Sequence, residues 1–243
     1  MLSLIRMPFV AATLLLSTNS LTGGFTGKGD NNSFSTFISA GKKISNTVSE
    51  KYASWQLDKQ GISIDLFAYA IKGYEYLNQL NRIANKEFIT IIDFSKPSSE
   101  KRLFVINTVT GNVVFKTLVA HGRNSGKEWA KTFSNTASSF ASSLGFYTTS
   151  EVYNGKHGIS LRLNGCEKGF NDNAYKRAVV MHGADYVSDS FLEQNGYLGR
   201  SHGCPAVPTH LSKKIIDVIK DGSCLFIYAP SKQYLSLSAI INS

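Results

Sequence analysis

The sequence contains few cysteines and none of the usual zinc-binding spacings. Three cysteines occur in 243 residues, and an odd count leaves at least one thiol unpaired within the chain. His-Glu-x-x-His and Cys-x-x-Cys are both absent, so we expect no metal site, although four histidines are possible ligands: His157, His182, His202 and His210. Cys204 is the thiol we expect to be free. Cys166 and Cys224 could pair, but Cys224 begins an apolar strand and is more simply a core residue.

A concentrated run of lysine and arginine is also lacking, although the overall charge is basic. Lys and Arg number 26 against 17 Asp and Glu, which gives a formal charge of +9. Such a surface favours anionic partners. Because the basic residues are dispersed, we expect no nucleic-acid partner.

The N-terminal hydrophobic run is too short to span a bilayer comfortably. Residues 7–16 form this run, after Arg6 and before small and polar residues. This pattern predicts a secretory signal peptide at residues 1–20, and hence an exported protein of the periplasm or cell envelope. An uncleaved membrane anchor or an N-terminal core helix is the alternative. Residues 21–45 are rich in Gly, Ser, Thr and Asn, which is typical of a flexible linker.

The periodicity of apolar residues divides the rest of the chain. Residues 46–85 show helical spacing, with Ser63 as a predicted N-cap, and the apolar stripe of this helical region is expected to pack on the domain that follows. Residues 86–230 are mostly strand-like and are predicted to form a catalytic domain. Residues 231–243 form a C-terminal tail with no informative pattern.

Seven strands and one helix are predicted within the catalytic domain. The strands are at residues 88–93, 103–107, 113–119, 145–153, 159–163, 178–181 and 224–228. The helix is predicted to have Thr209 as its N-cap and Gly222 as its stop signal. The fold class is therefore mostly β with a few helices.

The most informative segment is Gly-Arg-Ser-His-Gly-Cys at residues 199–204, with the histidine of Met-His-Gly upstream of it. A thiol becomes a strong nucleophile as thiolate, and a nearby imidazole can take its proton or hold it as an ion pair. Gly203 removes bulk beside the sulfur, so its N–H and that of Cys204 could stabilise an oxyanion. Either His182 or His202 could be the base. The residue types predict a cysteine nucleophile.

These motifs resemble the L,D-transpeptidase (YkuD-type) family, and most closely its murein L,D-transpeptidase catalytic domain subgroup. The resemblance covers roughly residues 88–230 and is carried by four blocks in the expected order: residues 143–147, 180–183, 201–204 and 221–227. One departure is Pro205-Ala206-Val207 after the cysteine, where many family members have Arg or Asn. Arg200 could supply the missing basic side chain from the other side of Cys204.

The resemblance implies a YkuD-like β-sandwich and assigns roles to residues. Cys204 is the nucleophile and His182 the base, with the Gly183 carbonyl orienting its ring; His202 and Gly203 assist at the oxyanion. The implied substrate contacts are Ser143, Tyr147, Arg123, Arg200 and Ser201.

The resemblance also implies an activity that needs no cofactor. Cys204 would act as a cysteine acyltransferase on peptidoglycan stem peptides and form 3-3 cross-links through a thioester acyl-enzyme. Anionic polymers of the envelope are a further possible partner for the basic surface. The alternatives are an L,D-carboxypeptidase or hydrolase that uses water at the same cysteine, a zinc amidase, and a non-catalytic wall-binding protein.

Overall fold

The computed structural model describes residues 45–243 and, before them, the backbone of two short strands, β1 (Ile38–Ser39) and β2 (Lys42–Lys43). These strands pair antiparallel. The predicted signal peptide and most of the predicted linker lie outside the described residues.

Two helices precede the main sheet, α1 (Asn46–Ser54) and α2 (Ile64–Gln79), which confirms the helical N-terminal region. Ser63 caps α2 as predicted, since its hydroxyl accepts a hydrogen bond from a backbone N–H of the first turn. The apolar stripe of α2 is buried in the main core. Gly73 allows helix and sheet to approach closely, because a Cβ there would lie 2.0 Å from the Phe146 ring.

Eight strands form the main sheet: β3 (Phe88–Asp93), β4 (Leu103–Asn107), β5 (Val113–Thr117), β6 (Gly145–Gly155), β7 (Gly158–Gly165), β8 (Val180–Ala184), β9 (Ala206–Pro208) and β10 (Cys224–Tyr228). Their order is β5-β4-β3-β10-β6-β7-β8-β9. The pairs β3 with β10 and β8 with β9 are parallel, and the others are antiparallel. Just after β5, Ala120 bridges Ala206 of β9, so the two edges meet and the sheet is nearly closed. The mostly β domain is confirmed, with its strands joined in one sheet.

The sequence pattern does not predict β9, which has three residues and ends in a proline. It is followed directly by helix α4 (Thr209–Ile219), whose N-cap is Pro208. The prediction that Thr209 is the N-cap is therefore wrong. Its hydroxyl donates instead to Asp185, at 2.8 Å, and so ties the helix start to the loop after β8.

Two further helices are α3 (Asp189–Asn195) and α5 (Lys232–Leu237). The tail that contains α5 is packed into the core, because Tyr234 and Ser238 are buried and both donate hydrogen bonds to the buried Glu167 carboxylate. Within residues 45–243, no helix is long and apolar enough to cross a bilayer.

Candidate active site

The parallel pairing of β8 with β9 sets His182 alongside the segment that follows Cys204. His182 lies opposite Ala206 in the parallel register, and Cys204 precedes Ala206 by two residues. The sulfur contacts the segment that leads into β8, since it lies 3.8 Å from the Ala178 carbonyl oxygen. Cys204 is therefore two residues from the strand position that pairs with His182.

Hydrogen bonds of Ser201 fix residues 201–204, which we call the cysteine loop. The Ser201 hydroxyl donates to the Cys204 carbonyl at 2.6 Å and accepts from the Gly203 N–H at 3.0 Å. The Gly203 N–H is thus engaged within the loop. The Cys204 N–H donates to no acceptor within residues 45–243 and is available to a substrate oxygen.

Gly203 has a backbone conformation that side chains resist. Its φ is +123°, and a Cβ there would lie 2.8 Å from the Ala141 carbonyl oxygen. The turn at Gly203 means that residues 202–204 are not extended, so strand alternation does not bring the His202 side chain to the same side as the Cys204 sulfur.

His182 is buried and held in one orientation. Its Nδ1 lies 2.9 Å from the Gly183 carbonyl oxygen, which can only accept, so Nδ1 carries the proton and Nε2 has a free lone pair. Burial lowers the pKa of His182, the hydrogen bond to Gly183 opposes this, and His157 adds to it. The ring is therefore neutral at neutral pH, which is the state of a general base.

His157 is a residue of this site that the sequence motifs do not reveal. It is exposed in the turn between β6 and β7, and its ring stacks on that of His182 with centroids 4.6 Å apart and planes at 24°. It covers the buried imidazole from the solvent side. Because His157 is far from the motif in sequence, its residue type was the one feature of the sequence that could have marked it as a candidate site residue.

His202 is exposed and engaged elsewhere. Its ring meets the edge of Phe140 at a centroid distance of 4.7 Å, and the guanidinium of Arg123 lies 4.1 Å from the same ring. The His202 ring and the Arg123 guanidinium therefore both pack on the Phe140 ring beside the cysteine loop. The geometry favours His182 over His202 as the partner of Cys204.

The charges around the sulfur come mainly from one arginine that the sequence analysis missed. Burial raises the pKa of Cys204, while the backbone N–H of Val180 and the cation of Arg177 lower it. The thiol is therefore protonated at rest, as the His182 imidazole is neutral.

The predicted substrate contacts fall into two groups. Arg123 and Arg200 are exposed beside the cysteine loop, and Arg200 lies over the Tyr197 ring at 5.7 Å. Ser143 and Tyr147 are buried and bonded to each other at 2.9 Å, and burial raises the pKa of Tyr147. Ser143 and Tyr147 therefore lie in the buried interior behind the site.

A buried pair supports the turn that carries Arg123. Arg102 donates to His121 Nδ1 at 2.8 Å and to the Val119 carbonyl oxygen, and His121 Nε2 lies 3.2 Å from the Gly126 carbonyl oxygen. Burial and the Arg102 charge lower the pKa of His121 to about 4. His121 is thus a neutral structural residue.

Neither a metal site nor a disulfide is formed by the described residues. Within residues 45–243, no three side chains among His, Cys, Asp and Glu are grouped as metal ligands. Cys166, Cys204 and Cys224 are all free thiols.

Comparisons with known proteins place this architecture. A family model described as the L,D-transpeptidase catalytic domain matches residues 58–228. Among curated proteins, none matches this sequence. Similar solved structures include an L,D-transpeptidase from Mycobacterium smegmatis, with 16% identity, 59% of each chain covered and a TM-score of 0.36. Another is an L,D-transpeptidase from Mycobacterium tuberculosis, with 13% identity, 59% of this chain and 58% of that one covered, and a TM-score of 0.38.

A third is the helical cell shape determining protein from Campylobacter jejuni, with 14% identity, 66% of this chain and 57% of that one covered, and a TM-score of 0.42. The chain therefore matches less than two thirds of the length of each of these structures. Because the family model spans more than half of the sequence, the chain belongs to the L,D-transpeptidase catalytic domain family.

Proposed function

We propose that this protein is a cysteine acyltransferase that acts on peptidoglycan stem peptides in the cell envelope. Family membership supports the class of reaction. The single observation that supports the assignment to this site is the parallel register of β8 and β9, in which His182 pairs with Ala206, two residues after Cys204. The buried His182 bonds the Gly183 carbonyl through Nδ1, which leaves Nε2 free to accept a proton.

In the proposed first step, His182 Nε2 takes the thiol proton as Cys204 attacks the carbonyl at the L-centre of the third stem residue. The bond from that carbonyl carbon to the terminal D-alanine nitrogen breaks. The imidazolium returns the proton to the leaving amine, and a thioester remains on Cys204. The free N–H of Cys204 is placed to donate to the oxyanion that forms between these events.

In the second step, the amine of a neighbouring stem attacks the thioester and gives a 3-3 cross-link. His182 removes the proton from that amine, the bond from the carbonyl carbon to the sulfur breaks, and the imidazolium returns the proton to the sulfur, which restores the Cys204 thiol. One amide replaces another through a thioester, so the exchange is nearly balanced in free energy and needs no nucleotide or other cofactor.

The substrate contacts follow from exposure and charge. Arg123 and Arg200 flank the cysteine loop, and neither forms an ion pair with a carboxylate within residues 45–243. They are suited to bind a carboxylate of the stem peptide, and the wider basic surface to anionic envelope polymers. Ser201 acts by shaping the loop, and Ser143 with Tyr147 by supporting the buried interior behind the site.

Mass spectrometry of purified muropeptides incubated with the protein tests the proposal. We expect dimers linked 3-3, with Cys204→Ala giving none. Shortened monomers in place of dimers would indicate water as acceptor and an L,D-carboxypeptidase. Products that persist in Cys204→Ala and vanish with a chelator would indicate a zinc amidase. Muropeptides that wild type leaves unchanged would indicate a non-catalytic wall-binding protein.

A further inference from the structure

Arg177 is bonded to one continuous segment of the chain. It precedes β8, is half-buried, and directs its guanidinium at residues 134–143, which we call the wall segment. Four oxygens of the wall segment accept from it: Ser134 O at 2.8 Å, Ser143 Oγ at 3.1 Å, Ala141 O at 2.7 Å and Ser139 Oγ at 3.2 Å. A guanidinium holds several donors in one plane, so a single side chain fixes both ends of this segment.

The wall segment in turn contacts the cysteine loop. Ser142 Oγ donates to the Gly203 carbonyl at 3.1 Å and accepts from the Gly122 N–H at 3.0 Å. A Cβ on Gly203 would lie 2.8 Å from Ala141 O and 3.4 Å from Nη2 of Arg177. The arginine, the wall and the residue before the nucleophile are therefore in direct contact.

The positive charge of Arg177 has no carboxylate partner. Within residues 45–243 it forms no ion pair, and its hydrogen-bond acceptors are carbonyls and hydroxyls. The groups near it that can become anionic are Tyr147 and Cys204. Burial raises the pKa of Tyr147, so that phenol stays neutral.

Among the described residues, Cys204 is then the group near this cation whose anionic form, the thiolate, would be stabilised by it when the thiol loses its proton. The other ionisable side chain coupled to it is Tyr186, whose pKa burial also raises. His182 is neutral. The residue after Arg177 also touches the sulfur, because the Ala178 carbonyl oxygen lies 3.8 Å from it.

We propose that Arg177 is a positioning residue that locks the wall segment against the cysteine loop and sets a fixed positive charge beside the Cys204 sulfur. The proposal rests on Cys204 being the nucleophile of the proposed function. Arg177 favours the thiolate as it forms, and His182 receives the proton.

Alkylation of individual thiols over a range of pH tests this directly. Wild type, Arg177→Gln and Arg177→Lys are treated with iodoacetamide, and peptide mass spectrometry gives the rate at each cysteine. Arg82→Gln is the matched control, because it removes an exposed cation that lowers the pKa of Cys166 and not that of Cys204. Limited proteolysis reports cleavage within the wall segment, and circular dichroism confirms that each variant is folded.

For Arg177→Gln we expect alkylation of Cys204 at neutral pH to slow by about tenfold, with its midpoint moved to higher pH, and faster cleavage of the wall segment. Arg177→Lys keeps the charge and loses the planar fork. Its wall segment should therefore be cleaved faster than in wild type, while its Cys204 should be alkylated at a rate within about threefold of wild type. Arg82→Gln should leave Cys204 unchanged.

The proposal is overturned if folded Arg177→Gln alkylates Cys204 like wild type, or if Arg82→Gln slows Cys204 equally, since net charge alone would then explain the effect. These readouts need no substrate. A protein that leaves muropeptides unchanged would overturn the proposed function while the alkylation series still decides the role of Arg177.

Discussion

Cys204 lies half-buried at the end of the sheet where β9 begins, whereas Cys224 is fully buried as the first residue of the central strand β10. Burial raises the pKa of both thiols. Cys166 is half-buried like Cys204, and burial raises its pKa to about 11. Burial raises the pKa of all three thiols, so the direction of this shift does not distinguish the three sulfurs.

The charges around the sulfurs do distinguish them. Cys204 faces Arg177, a cation held by four hydrogen bonds and free of carboxylates. Cys166 faces Arg82, but the adjacent Glu167 opposes that effect, and Cys224 is coupled to Cys166 and Tyr74 and to no cation among the described residues. A thiol becomes a candidate nucleophile when a fixed cation and a proton acceptor lie beside it, and partial burial alone does not suffice.

Exchange of each cysteine for serine gives the largest test of this contrast. Cys204→Ser should lower turnover by about 1,000-fold or more, because oxygen is a far weaker nucleophile at neutral pH, while the fold is kept. Cys166→Ser and Cys224→Ser should change activity by less than about threefold, and Cys224→Ser should lower thermal stability, since it puts a hydroxyl in the core. Muropeptide turnover and thermal melts measure both. Loss of activity in a folded Cys224→Ser protein would assign the nucleophile to Cys224 in place of Cys204.

The two histidines give the next largest effect. If the buried and oriented His182 is the base, as proposed, His182→Ala should lower turnover by about 100- to 10,000-fold and leave iodoacetamide alkylation of Cys204 within about threefold of wild type. His202→Ala should stay within about tenfold of wild type. Burial lowers the pKa of His182 below its ordinary 6.5. The base is neutral above that pKa, so kcat/KM should hold through neutral pH and fall only in more acidic solution; the reverse ranking of the two variants would make His202 the base.

Local patterns predicted much of this architecture. Short runs rich in apolar and β-branched residues predicted strands β3, β4 and β10 at their observed bounds, because these central strands are buried on both faces. β9 was missed because three residues carry no period, and its strand conformation comes from pairing with β8 and Ala120.

The site divides in the same way. Cys204, His182 and the Gly183 contact were predictable because they belong to short motifs with chemical meaning. His157 and Arg177 were not, because both reach the site through contacts between segments distant in sequence, a ring stacked across a hairpin turn and a guanidinium bonded to the wall segment. No local period or spacing encodes such contacts.

Gly203→Ala should disturb the cysteine loop without altering its chemistry. The φ of +123° and the contact with the Ala141 carbonyl oxygen mean that the new methyl group must displace the wall segment. We expect a loss of unfolding free energy of about 2 to 4 kcal/mol and slower alkylation of Cys204. Gly169→Ala is the matched control, because Gly169 also has a positive φ, of +83°, with no atom within 4 Å of the added Cβ. It should cost about 1 kcal/mol, and equal losses in chemical denaturation would contradict the steric argument.

Glu167 allows the smallest test, on the Cys166 side of the comparison. Its carboxylate accepts from the Phe146 N–H at 2.8 Å, from the Tyr234 hydroxyl at 2.8 Å and from Ser238, and burial raises its pKa above the ordinary 4.5. The folded pKa exceeds the unfolded one, so the stability from this group is complete below about pH 4.5 and is lost as the pH rises through the folded pKa.

Glu167→Gln keeps an acceptor oxygen for Phe146 and Tyr234 and offers Ser238 a donor in place of the second oxygen, and it removes the titration. Wild type should therefore lose stability relative to Glu167→Gln between about pH 4.5 and neutral pH. Glu167→Ala leaves three buried donors without an acceptor and should cost about 3 kcal/mol or more at every pH. Urea denaturation at several pH values measures these differences. Parallel stability profiles for wild type and Glu167→Gln would show that the Glu167 carboxyl does not change its protonation in this range, and that its opposition to Arg82 at Cys166 is the same throughout.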